Sequence, residues 1–143
     1  MFGLKKIYAI LGIAGLLLAA CGTQGAGETK DVRITLTEFG IESSVTTFNV
    51  GVPYHFVVTN AGSVEHEIMV MPPLAQDSMG MTMDMGELDE MALVMIEASE
   101  LPPGKTVSFD YTFTETTASG MLEFACHTPG HYEAGMKLPI TVE

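Results

Sequence analysis

The sequence predicts an all-β fold, a Greek-key β-sandwich with one short helix in an insertion. Three observations carry this prediction. Apolar and polar residues alternate in several short runs, the pattern of strands with one buried face. Turn-forming clusters separate these runs, and a single segment shows helical spacing.

Residues 1–20 stand apart from the fold. Lys5 and Lys6 precede an apolar stretch from Ile7 to Ala20 that is too short and wrongly flanked for a membrane span, which marks a signal peptide. It ends Leu18-Ala19-Ala20-Cys21, which resembles the lipobox of bacterial lipoproteins, with cleavage before a Cys21 that becomes lipidated. Residues 21–30 then read as a flexible tether, rich in Gly and without apolar periodicity. Its random-coil span is roughly 15 Å. Residues 31–143 form the one remaining domain, a size that buries a single core.

Within that domain Val32, Ile34 and Leu36 alternate with Arg33, Thr35 and Thr37 as a first strand. Further strands are expected over Val45 to Val50, Tyr54 to Thr59, Glu67 to Met71, Thr106 to Thr114, Met121 to Ala125 and Leu138 to Val142. Gly51-Val52-Pro53, Asn60-Ala61-Gly62, Leu101-Pro102-Pro103-Gly104 and Ala118-Ser119-Gly120 supply turns. Asp84 and Glu87 form a capping pair, after which Leu88, Met91, Ala92, Met95 and Ile96 fall on one helical face.

Charge excludes some functions. Without Lys5 and Lys6 the basic residues are Lys30, Arg33, Lys105 and Lys137, against 18 acids. Nucleic acid and anionic substrates are therefore not expected as partners. The acidic surface serves solubility or steers a basic redox partner.

Cys126, His131 and Met136 lie in one run and offer a thiolate, an imidazole and a thioether. A blue-copper site takes two imidazoles and one thiolate in a plane with a weak axial thioether, so one more His is required. The candidates are His55, His66 and His127. His66 follows the Asn60-Ala61-Gly62 turn and opens a strand, where a closing loop can reach it. His55 lies within a strand and reads as a core or surface residue. His127 adjoins Cys126 and points the other way on an extended chain. A structural zinc site also takes Cys and His, but a thioether suits copper better.

The pattern Cys-x-x-Pro-Gly-His-x-x-x-Gly-Met begins at Cys126 with Pro129, Gly130 and His131, and closes on Gly135 and Met136. Together with Asn-x-Gly-x-x-x-His over Asn60 to His66 it resembles the cupredoxins, above all the rusticyanin and auracyanin type. The resemblance spans the domain except Pro72 to Ile96. It implies that His66, Cys126 and His131 form the trigonal plane around one type 1 copper per chain, with Met136 axial. Azurin-like relatives have one residue fewer before Met and often a Gly before the first His. Glu65 stands there in this chain, which speaks against a fifth, carbonyl ligand. Family members also brace the ligand loop from the position that Glu67 occupies.

The methionines crowd between positions 69 and 95. Met69, Met91 and Met95 suit core filling. Met79, Met81, Met83 and Met85 allow packing, a soft docking surface or weak auxiliary Cu(I) binding.

Two functions follow. The first is an extracytoplasmic electron carrier, anchored to the membrane through Cys21, monomeric and not an enzyme. It would pass one electron between redox proteins such as a cytochrome and a membrane oxidase or reductase complex. The alternative is copper handling for storage, delivery or resistance, with the Met-rich loop as loading site. Copper-enzyme activity would need more His than the chain's 4 provide.

Overall fold

The computed structural model describes residues 27–74 and 83–143. The expected signal peptide, Cys21, most of the expected tether, Met79 and Met81 lie outside the described residues.

Two sheets face each other. The 4-stranded sheet has the order β2-β1-β4-β7, formed by β1 (Lys30–Leu36), β2 (Ile41–Ser43), β4 (Pro53–Asn60) and β7 (Thr106–Thr112). The 5-stranded sheet has the order β3-β9-β8-β5-β6, with β3 (Thr47–Phe48), β5 (Ile68–Met71), β6 (Val94–Ile96), β8 (Thr117–Ala125) and β9 (Lys137–Val142). β1 runs parallel to β4 and β3 parallel to β9, while the other pairs are antiparallel.

The alternation seen in the sequence sorts side chains as expected. Along β4, Tyr54, Phe56, Val58 and Asn60 point inward, and His55 points out to pair with Asp110 at 2.6 Å. Phe48 lies at the centre of the core, with Tyr54, Phe56, Phe113 and Phe124 around it at ring separations of 5.0 to 6.1 Å. Burial of these apolar faces between the sheets is the main stabilising term.

β5 is buried on both faces. Ile68 and Val70 enter the core between the sheets, while Met69 and Met71 enter a second cluster with Leu88, Ala125 and Tyr132. Leu88 belongs to α1 (Met85–Met91), which covers the outer face of the second sheet. Asp84 caps it as predicted: its side chain accepts from Glu87 N–H at 2.9 Å, and its own N–H donates to Glu87 Oε2 at 3.1 Å.

The structure corrects the predicted extent of this helix. It ends at Met91, and Val94–Ile96 continues as an edge strand paired with Ile68, Met69 and Val70. β-branched Val94 and Ile96 fit a strand, and Leu93 N–H donates to Val70 C=O at 2.8 Å, drawing the chain into the sheet. The Ala118-Ser119-Gly120 turn is also absorbed, into an irregular β8 whose pairing with β9 shifts between Thr117 and Leu122.

Candidate metal centre

One end of the sandwich gathers the soft and borderline donors. Asn60 closes β4 and is fully buried there. Its amide donates to Val64 C=O and Leu101 C=O, both at 2.8 Å, and its Oδ1 accepts from Gly62 N–H at 2.9 Å. The side chain thus pins the loop from Asn60 to His66. His66 N–H donates to Leu101 C=O at 3.3 Å, which brings the buried His66 ring to the end of β5.

The second contribution comes from the loop between β8 and β9. Cys126 N–H donates to Met136 C=O at 3.1 Å, so the loop is closed at its base. Within it His131 N–H donates to Thr128 C=O at 2.9 Å, and Met136 N–H donates to His131 C=O at 3.0 Å. Gly130 and Gly135 take φ values of 84° and 101°, which L side chains rarely adopt, so the tight path requires glycine at both.

These two segments bring three donor atoms together. His66 Nδ1 lies 3.2 Å from His131 Nδ1, and Cys126 Sγ lies 3.9 Å from the first and 3.7 Å from the second. Among the described residues this is the group of His, Cys and acidic side chains close enough to share an ion. A point equidistant from the three atoms is about 2.1 Å from each, inside the range of metal–nitrogen and metal–sulfur bonds. Met136 is fully buried in the same core cluster as Cys126. A thiolate, two imidazoles and a thioether form a donor set suited to copper.

The surroundings hold the site in shape. Glu67 Oε1 accepts His127 N–H at 2.8 Å, tying the start of the loop to β5. Glu67 therefore braces the ligand loop, a role that the sequence alone leaves open. His127 turns away from the cluster, and its ring stacks on Tyr132 at 4.4 Å and 18°. Lys137 Nζ sits 4.2 Å from the Tyr132 ring centroid. The Tyr132 hydroxyl donates to buried Glu123 at 2.5 Å and accepts from Leu74 N–H at 3.2 Å.

Burial sets the electrostatics. It holds the His66 imidazole below its ordinary pKa, with neighbouring His131 acting in the same direction and Glu38 opposing. It pushes the Glu67 carboxyl up, against the His127 N–H bond that favours the anion, while Asp89 and Glu97 raise it further. His127 is likewise lowered by burial. Tyr132 is pushed up to about 12, first by burial and then by its bond to Glu123.

Sequence reasoning missed the turn between β1 and β2. Phe39, 56% exposed, packs edge-on against the partly buried His131 ring, with centroids 5.5 Å apart. Glu38 Oε1 accepts from both the N–H and the hydroxyl of Ser63, on the loop that carries His66. No local pattern in Glu38-Phe39-Gly40 marks these roles, because the contacts are long-range. Of the remaining methionines singled out, Met83 packs against the second cluster and Met85 opens α1, 43% exposed.

Solved structures share this architecture. Auracyanin B superposes with a TM-score of 0.56 at 19% identity, covering 80% of this chain and 88% of its own. Rusticyanin from Thiobacillus ferrooxidans gives 0.57 at 19% identity, covering 82% and 79%. The chain has the cupredoxin fold. No protein-family model matches this cupredoxin domain. In sequence it is similar to the copper-resistant cuproprotein CopI of Pseudomonas aeruginosa, 28% identical over 147 residues, covering 84% of this chain and 80% of the relative. CopI of Vibrio cholerae is also 28% identical, over 135 residues, covering 89% and 73%.

Proposed function

We propose that this cupredoxin binds one copper ion per chain in a type 1 site and cycles it between Cu(I) and Cu(II). His66 Nδ1, Cys126 Sγ and His131 Nδ1 would hold the ion, with the thioether of buried Met136 as the further donor. The observation that carries this reading is the triangle of donor atoms held by the fold itself. Copper supplies one-electron chemistry when bound, and the chain supplies ligands that need not rearrange between its two states. The partly buried His131, with Phe39 against it, is the side at which an electron would enter and leave.

Two uses fit such a centre, an electron carrier between redox proteins and a copper-handling protein. The CopI relatives, named for copper resistance, favour the second, and we take copper tolerance outside the cytoplasm as the biological role. The signal segment and Cys21 support an exported, lipid-anchored protein. The chain acts as a binding and redox protein and not as an enzyme.

The test is deletion of the gene followed by growth in rising copper. The role predicts copper sensitivity that the wild-type chain restores and Cys126→Ser does not. Unchanged growth, with loss of an electron-transfer activity instead, would favour the carrier.

A further inference from the structure

Glu38 reaches the metal centre from the far side of His66. Its Oε1 is fixed by both donors of Ser63, the backbone contact measuring 2.9 Å. Its Oε2 faces Gly62. Across the loop, His66 Nε2 is buried and without a partner among the described residues. Between them lies Gly62. A Cβ built there would be 2.7 Å from His66 Nε2, 3.0 Å from Glu38 Oε2 and 3.2 Å from Asn60 Oδ1. All three polar atoms therefore border the small space that the missing side chain leaves. Asn60 Oδ1 already accepts from Gly62 N–H at 2.9 Å, so the carboxylate is the acceptor with capacity to spare.

We propose that Glu38 is the positioning residue of His66: its Oε2 accepts the Nε2 proton, directly after a small rotation or through one water in the Gly62 space. This inference rests on the type 1 copper reading. A neutral imidazole carries one N–H, so Nδ1 is free to bind metal only when the proton sits on Nε2. Left alone in a buried place, that N–H lacks an acceptor, and the carboxylate supplies one. A carboxylate behind a ligating imidazole fixes the ring and raises its basicity, which favours Cu(II) over Cu(I).

The test compares wild type with Glu38→Gln, Glu38→Ala and Gly62→Ala in the full chain. In metal-free and Zn(II)-loaded protein, nitrogen NMR of the His66 ring should show a slowly exchanging Nε2–H. Glu38→Ala and Gly62→Ala should make it exchange fast. On copper loading, Glu38→Gln should weaken Cu(II) binding about tenfold and Cu(I) binding less. If Cu(I) binding were unchanged, a tenfold loss would raise the midpoint potential by about 59 mV. An Nε2–H equally protected in Glu38→Ala, with an unchanged potential in Glu38→Gln, overturns the proposal. A wild-type chain that forms no blue site refutes the copper reading instead, and the ring measurement on metal-free protein still decides the role of Glu38.

Discussion

Glu67 Oε1 accepts the N–H of His127 at 2.8 Å, one residue beyond each of two proposed ligands, His66 and Cys126. The bond ties β5 to the β8–β9 loop and fixes the spacing of the donors before any metal arrives. Glu67→Ala leaves that N–H unpaired and should cost about 1 to 3 kcal/mol of stability, measured by denaturant unfolding of copper-free protein. Glu67→Gln keeps an acceptor and should cost less.

The same carboxyl has a pH consequence. Its folded pKa is raised, chiefly by burial, so the protonated form is favoured in the native state. Its contribution to stability is therefore complete below the ordinary value of 4.5 and is lost as pH rises through the folded value. Glu67→Gln should remove this part of the pH dependence in thermal melts.

The imidazoles of His66 and His127 act in the opposite sense. His66 and His127 have folded pKa values below the ordinary 6.5, so their contribution is present above 6.5 and is lost as pH falls through the folded values. Melting temperatures of copper-free protein should drop on acidification from pH about 7 to about 5, and His127→Gln should lessen the drop.

Tyr132 governs the alkaline side. Its pKa is raised to about 12 from 10.0, so the stability it contributes is full below 10 and fades as pH passes through about 12. Tyr132→Phe removes the hydroxyl that serves both Glu123 and Leu74, and should cost about 1 to 3 kcal/mol at neutral pH while flattening the alkaline limb.

Much of this was legible in the sequence because the signals were local. Two-residue alternation placed the inward face of β4, and the Asp84–Glu87 pair placed the start of α1. The spacing in the run from Cys126 to Met136 was enough to nominate His131, and the strand geometry correctly turned His127 outward. What escaped was set by pairing between distant segments. Met95 and Ile96 keep helical spacing with Leu88 yet join β5 at the sheet edge, since backbone partners there outweigh one more helical turn. Glu38 and Phe39 meet the histidines only because β1 and β4 run side by side, a parallel pairing that no short pattern announces.

Met136 tests the axial position. Met136→Leu keeps the buried volume, so the fold should hold with a loss under about 1.5 kcal/mol. Loss of the thioether should retain the blue colour and raise the reduction potential, because a donor that stabilises Cu(II) is gone. A potential equal to that of wild type would place Met136 outside the ligand set.

The most direct measurement is the visible and paramagnetic resonance spectrum of the protein titrated with Cu(II), beside Cys126→Ser. A type 1 site would give an intense blue thiolate-to-copper band that saturates at one copper per chain, bleaches reversibly on reduction and is absent from Cys126→Ser. A colourless Cu(II) complex, or a band of equal strength in Cys126→Ser, would contradict it.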